Sequence, residues 1–351
     1  MADHVDKRLN VPSTIKEEDL DFHNVREAPF SIHGIFYEGG AFRRMPKEVA
    51  ATVSKNVLAL HANTSGGRIR FRTDSPAIAI KAKYGSVYRA SHFSICGSAG
   101  FDLYLSEGGV PHFYGAFVPP GDATEGYASR HDIGEGGVRE ITIHTPLYSD
   151  LTDMEIGLAK GASILPPEPY PDEPPIVYYG SSITQGACVS RAGCAFAAIA
   201  SEAVGRDFVN LGFSGSAKAE IEIAEYIAGL KMKIFVYDYD HNAPSAAYLA
   251  ETHERMFKIV REKNPTLPVV MLSRTSLPRI VGERDLRRDI IKATYDRARE
   301  AGDENVYFID GSGIYGDAVD YATVEGCHPN DLGHYLTAQA LIPVLREILG
   351  E

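Results

Sequence analysis

The stretch LPPEPYPDEPP at 165–175 carries six of the chain's 20 prolines. Proline fixes φ and lacks a backbone N–H, so a run this dense excludes both a helix and a central strand and favours stiff, extended backbone. It also separates two hydrophobic patterns. Before it, apolar residues recur at every second position; after it, near-continuous apolar runs alternate with segments of helical period. The chain therefore reads as residues 1–164, a linker at 165–175, and residues 176–351.

In the first part, RIRFRTDS at 68–75 sets Ile69 and Phe71 on one face and Arg68, Arg70 and Arg72 on the other. AIAIKAKYG (77–85), GFDLYLSEGG (100–109), HFYGAFVPP (112–120) and REITIHTPL (139–147) read as further strands, punctuated by Gly and Pro at hairpin-like spacing. One short helix is predicted near 46–52. This pattern predicts a β-sandwich, jelly-roll-like, in which two sheets share one core.

In the second part, PIVYYG (175–180), DFVNLGF (207–213), KIFVYDYD (233–240), PVVMLSR (268–274) and VYFID (306–310) alternate with helices expected at 193–204, 219–230, 245–262, 283–301 and 332–348. Strands apolar on both faces belong to a covered parallel sheet, so this half is predicted to be a doubly wound, flavodoxin-like, three-layer α/β/α domain. Such sheets bind ligands beyond the carboxyl ends of their strands.

Composition narrows the function. A net charge of −12, a pI near 5.5 and the lack of a basic tract argue against a nucleic-acid partner. No run of 18 apolar residues is present to span a membrane. The N-terminal stretch MADHVDKRLNVPSTIKEEDLDF is polar and has no secretory core, which sets the expectation of a cytoplasmic protein. The four cysteines, Cys96, Cys188, Cys194 and Cys327, form no CxxC pair, and Cys188 and Cys194 have no histidine cluster near them in sequence. No metal site is expected from this spacing; the thiols read as small buried side chains.

Four strand ends carry polar residues. The first is Gly180-Ser181-Ser182-Ile183-Thr184, which lacks the Lys of a phosphate loop and the GxGxxG of a dinucleotide site. It reads either as a serine-capped helix start or as a nucleophile exposed at a strand-to-helix turn. NLGFSGS (210–216) offers Gly215, for a positive φ or a close backbone approach, and YDYDHNAPS (237–245) offers Asn242, as a turn residue or an amide donor to negative charge. In VEGCHPNDLGHY (324–335), Glu325 and His328 are three apart, the spacing at which a carboxylate can fix a histidine's tautomer. His334, on the first turn of the last helix with Asp331 at its cap, competes with His328. His241, beside Asn242, and Arg191, in the loop after the first block, are candidate substrate contacts.

Ser, Gly, Asn and His, in that order on four loops of one sheet edge, make the second half resemble the SGNH (GDSL-type) hydrolase superfamily over about 176–351. The resemblance implies that Ser182 is the nucleophile, that the Ser182 and Gly215 N–H groups and the Asn242 amide form the oxyanion hole, and that His328 is the general base. SAGFDLYL (98–105) contains Gly-x-Asp-Leu-Tyr, the label of a domain found N-terminal to one SGNH branch. Two positions depart from the family pattern: Ser181 stands where Asp usually precedes the serine, and Glu325 stands where the last block usually has Asp. The second leaves a Ser-His-Glu triad and a Ser-His dyad both open. The resemblance further implies an ester substrate and no cofactor, and a sandwich ahead of such a domain resembles carbohydrate acetyl esterases. Deacetylation of oligosaccharides is the expectation, with a lysophospholipase or thioesterase and a silent carbohydrate-binding protein as alternatives. In that arrangement the first domain would wall the cleft with residues such as Tyr84, Tyr88 and Arg89.

Overall fold

The computed structural model describes residues 11–107, 109–275 and 283–351. The first ten residues of the polar N-terminal stretch, and Gly108 within the predicted 100–109 strand, lie outside the described residues.

The five apolar runs of the second half form a parallel sheet covered on both faces. Tyr179, Tyr237, Val269 and Met271 point into one core with the helices Ile221–Ala228, Ala246–Lys263 and Arg284–Glu300. Their neighbours Tyr178, Val236, Val270 and Leu272 point into the other, against Phe196–Ala203 and Asp331–Leu349. Alternate residues facing two buried layers explain why no polar face interrupts these strands. From one edge the order is Phe208–Gly212, Ile176–Gly180, Ile234–Asp238, Val269–Leu272 and Val306–Ile309. The first strand in sequence thus lies between the second and third, so the chain leaves its two sides in opposite directions and opens a crevice at its carboxyl end. Ser181 and Ser182 sit there.

The last helix starts differently from the sequence expectation. Asn330, not Asp331, is its cap, accepting from the N–H groups of Leu332 at 3.0 Å and Gly333 at 3.2 Å. Asp331 instead accepts from Ser190 N at 2.7 Å.

The first half is built around two larger antiparallel sheets, with a separate two-stranded pair, Phe36–Glu38 and Ala41–Arg43, beside them. One holds Leu20–Asn24, Ser149–Ala159, Ala77–Val87 and Gly126–Asp132; the other holds Ile164–Leu165, Arg68–Thr73, Arg139–His144, Phe101–Glu107 and Val110–Phe117, with Ser31–His33 beside Arg68–Thr73. Ile78, Ile80, Met154 and Ile156 of the first sheet share a core with Ile69, Phe71, Leu103 and Ile143 of the second. Among the described residues, no helix is long and apolar enough to cross a membrane.

The halves are fastened by buried contacts. Arg68 of Arg68–Thr73 reaches the parallel-sheet domain: its guanidinium lies 3.8 Å from the Phe208 ring centroid, pairs with Asp207 and donates to Phe208 O at 3.0 Å. The short helix expected near 46–52 is Lys47–Val53, and a second, Lys55–Leu60, follows it directly. Both pack on the parallel-sheet domain, where Met45, Ala50 and Val57 join the same core as Val177 and Leu211. Arg44 is buried and donates to Asn210 O at 3.1 Å and Gly212 O at 2.6 Å, closing the end of the edge strand. The proline-rich stretch is itself held down: Tyr170 lies under the Arg70 guanidinium at 4.1 Å and against the His33 ring at 5.0 Å.

Candidate active site

The turn after Ile176–Gly180 assigns different tasks to its two serines. Gly180 permits the turn, because a Cβ there would meet Asp238 O and Thr184 Oγ1, each at 2.1 Å. Ser181 caps the one-turn helix Ser182–Gln185 by accepting from Ile183 N at 3.1 Å, and it is fully buried. Ser182 projects past the cap, and its Oγ lies 3.0 Å from His328 Nε2.

His328 is held by its own turn. Val324 N donates to His328 O at 2.9 Å, closing the loop on itself. One oxygen of Glu325 then accepts twice from His328, from the backbone N–H and from Nδ1, each at 2.8 Å. A carboxylate only accepts, so the network assigns the ring proton to Nδ1 and leaves Nε2 to accept from the Ser182 hydroxyl. Serine, histidine and glutamate form a continuous chain, with Glu325 in the place a backbone carbonyl would hold in a dyad.

Gly215 adopts a φ of +67°, and a Cβ there would meet nothing within 4 Å, so the left-handed backbone rather than a close approach calls for glycine. Among the described residues neither the Ser182 nor the Gly215 N–H donates to a protein acceptor. The Asn242 Oδ1 accepts from Ala217 N at 3.3 Å, which directs the amide nitrogen the other way. His241 is half-buried; burial pushes its pKa down to about 4, with Asp240 opposing the shift and the Arg274 guanidinium adding to it.

Arg191 is engaged elsewhere. It donates to Asp102 Oδ2 at 2.9 Å and to the Tyr104 hydroxyl at 2.8 Å, and its guanidinium lies 3.7 Å from the Phe113 ring centroid. This accounts for the Gly-x-Asp-Leu-Tyr motif. Phe101 and Leu103 fill the sandwich core, while Asp102 and Tyr104 point to the opposite face and clasp Arg191 and Gly193 N, the latter at 2.7 Å. His334 is a fully buried structural histidine, accepting from Phe196 N at 3.2 Å and facing Ala187 O at 3.1 Å. Burial pushes it down to about 4.

Sequence reasoning missed the residues that brace the turn. The Tyr148 hydroxyl, from the sandwich, donates to Ser182 O at 3.1 Å. Gln185 is fully buried and donates to Asn63 Oδ1 at 3.0 Å and Leu147 O at 3.1 Å, while its own Oε1 accepts from Ser214 N at 3.0 Å. Of the three wall residues expected from the first half, Tyr88 is here, half-exposed against Tyr148 and Phe93 with centroids 5.6 and 5.4 Å away. Tyr84 is instead in the sandwich core, its hydroxyl bonded to Ala99 O, and Arg89 donates to Ala123 O. Among the described residues, one donor atom each of His92, Cys188 and His328 lies within 4.8 Å of the others, and the same holds for Glu325, Cys327 and His328; either trio could hold a metal ion. A cavity of about 790 Å³ between the helices Ala246–Lys263 and Arg284–Glu300 contains none of these residues, so hydrogen bonding rather than cavity size locates the site.

Residues 173–346 match the model of the GDSL-like lipase/acylhydrolase family, and residues 20–164 match that of the GxDLY domain, the N-terminus of SGNH-hydrolase-type esterases. No curated protein is similar enough in sequence to count as a match. Among solved structures, the chain is similar to a protein described as a GDSL-like lipase from Bacteroides ovatus, with 29% identity and a TM-score of 0.84, covering 94% of this chain and 98% of that one. It also resembles the salicylyl-acyltransferase SsfX3 from a tetracycline biosynthetic pathway, at 20% identity and a TM-score of 0.76, over 95% of this chain and 98% of the other. A family two carbohydrate esterase from Cellvibrio japonicus shares the fold at 12% identity and a TM-score of 0.62, over 94% and 98% of the two chains. The second half of the chain is therefore a GDSL-like lipase/acylhydrolase domain of the SGNH type, and the first half is its GxDLY N-terminal domain.

Proposed function

We propose that this protein is a serine esterase that removes O-acetyl groups from carbohydrates, with oligosaccharides as substrates. The observation that carries the reading is the unbroken chain from Ser182 Oγ through His328 to Glu325, at 3.0 and 2.8 Å. Ser182 attacks the ester carbonyl as its proton passes to His328 Nε2, and Glu325 stabilises the imidazolium that results. The oxyanion lies against the N–H groups of Ser182 and Gly215 and the amide of Asn242. Collapse of the tetrahedral intermediate expels the sugar oxygen, which takes the proton from His328 and leaves as an alcohol. Water, deprotonated by the same nitrogen, then attacks the acyl-enzyme and releases acetate and free Ser182.

The choice of a sugar substrate rests on the wall beside the serine. Tyr88 and Phe93, backed by the buried Tyr148, form an aromatic edge supplied by the GxDLY domain, and the exposed Tyr88 ring suits the apolar face of a sugar ring. The carbohydrate esterase from Cellvibrio japonicus supports this by fold alone.

The test is acetate release from acetylated oligosaccharides, run beside acetyl and octanoyl p-nitrophenyl esters. The reading expects release from the oligosaccharides and a preference for the acetyl ester. A preference for octanoate would favour the lysophospholipase or thioesterase alternative. Inertness toward all three, with oligosaccharide binding retained, would favour a silent binder.

A further inference from the structure

We propose that the site also binds a divalent cation of the zinc class, held by His92, Cys188 and His328, and that this cation switches ester hydrolysis off. One donor atom from each of these residues lies within 4.8 Å of the other two. They arrive from three separate loops: before the helix Ile95–Ala99, after Gly186, and before the helix Asp331–Leu349. Sequence spacing argued against a metal site because no histidine neighbours Cys188 in the chain; folding brings two to it.

Two of the three donors have no competing task. Among the described residues, the exposed His92 ring makes ring contacts with Phe93 and His328, at 4.9 and 5.7 Å, and no hydrogen bond. Cys188 is a free thiol, and its backbone sits at a φ of +66°, a left-handed conformation that disfavours any residue with a Cβ. Such a conformation persists only where surrounding structure enforces it, and such positions cluster at functional sites.

Two imidazoles and a thiolate form a borderline-soft set that suits zinc rather than magnesium or calcium, with a fourth position left for water. Ligand atoms around a tetrahedral zinc are about 3.5 Å apart, given Zn–N near 2.1 Å and Zn–S near 2.3 Å. Closing the trio from within 4.8 Å therefore takes shifts of about 1 Å. Burial pushes the Cys188 thiol up to about 12, and the incoming cation displaces its proton as the sulfur–metal bond forms, with no change of oxidation state.

Both His328 nitrogens already have partners, Nε2 with Ser182 and Nδ1 with Glu325. A cation on either one removes a link of the chain, so metal binding and hydrolysis exclude each other. The inhibition rests on the reading of His328 as the base; the binding does not.

The experiment separates the two. Cobalt(II) is titrated into the Ser182→Ala protein, which retains all three ligands. The expected result is a single equivalent with a thiolate-to-cobalt charge-transfer band, lost when Cys188→Ser is added and weakened in affinity by about tenfold or more when His92→Ala is added. In the wild type, zinc should suppress p-nitrophenyl acetate hydrolysis, EDTA should restore it, and magnesium should do nothing. His92→Ala, on an exposed loop, and Cys188→Ser should each raise the half-inhibiting zinc concentration by about tenfold or more, relative to their own metal-free rates. A missing band, or one that survives Cys188→Ser, overturns the site. A normal band with undiminished hydrolysis at saturating zinc overturns the switch. Absence of hydrolysis before metal is added would count against the esterase reading alone, because the cobalt measurement still reports the site.

Discussion

The Tyr148 hydroxyl, carried by the sandwich half, donates to the carbonyl oxygen of Ser182 at 3.1 Å. The same oxygen also accepts from Gly186 N at 3.1 Å and Ala187 N at 2.8 Å, so Tyr148 adds a third restraint to a carbonyl that is already paired. Tyr148→Phe should therefore loosen the turn without leaving an orphaned acceptor. A net hydrogen bond contributes about 0.5–1.5 kcal/mol, so kcat should fall by about threefold to tenfold while KM for a small ester stays nearly constant. A change confined to KM would instead make Tyr148 a substrate contact.

Glu325 presents one oxygen to two N–H groups of His328. Glu325→Gln keeps the size and one acceptor but removes the charge that stabilises the imidazolium. It should lower kcat by about 10²-fold or more and leave KM nearly unmoved, measured by steady-state kinetics on p-nitrophenyl acetate. An unchanged kcat would reduce the site to a Ser-His dyad.

Asp238 ends the strand beside the Ser181–Ser182 turn, buried, and accepts from Thr184 Oγ1 at 3.0 Å. Burial pushes its carboxyl up to about 8; Thr184 opposes the shift and Asp240 adds to it. Because the folded-state pKa exceeds the unfolded value near 4, the folded protein holds a proton that the unfolded chain releases. This contribution is complete below about pH 4 and is lost progressively up to about pH 8. Asp238→Asn should remove that slope, making the variant more stable than the wild type at pH 8 by on the order of a few kcal/mol. Urea unfolding at several pH values should show the gap shrinking toward pH 4. A gap independent of pH would mean that the carboxyl is ionised throughout.

The GxDLY half should not be removable. Met45, Ala50 and Val57 lie in the core of the parallel-sheet domain, and buried Arg44 caps its edge strand. A chain starting at residue 165 would expose that apolar surface and leave the Asn210 and Gly212 carbonyls without their Arg44 donor. It should show no cooperative thermal transition by circular dichroism. A cooperative transition, with p-nitrophenyl acetate hydrolysis retained, would show instead that the first half is an independent module.

Where the physics is local, the sequence was legible. The five strands of the parallel sheet are apolar throughout because both faces are covered, and runs such as PIVYYG need no distant partner to be read. Glu325 and His328 lie within one turn, and Ser182, Gly215 and Asn242 each follow a strand, so the blocks are visible one at a time. Local spacing does not choose between the adjacent serines; the family resemblance points to Ser182, and the structure makes Ser181 a buried cap and puts the Ser182 hydroxyl against His328. The strand Ser149–Ala159 escaped because irregular pairing between Asp150 and Asp153 breaks its alternation. Tyr148, Gln185 and His92 escaped because their partners are distant in the chain. Arg191 carries a charge that suits a substrate, and nothing in the sequence reveals that Asp102 and Tyr104 take it up.

The most direct test of the central claim is to treat the protein with an organophosphonate probe and map the adduct by peptide mass spectrometry, in the wild type, Ser182→Ala and Ser181→Ala. The account predicts one adduct on Ser182 in the wild type, none in Ser182→Ala and a retained Ser182 adduct in Ser181→Ala. An adduct on Ser181, or labelling that survives Ser182→Ala, would contradict it.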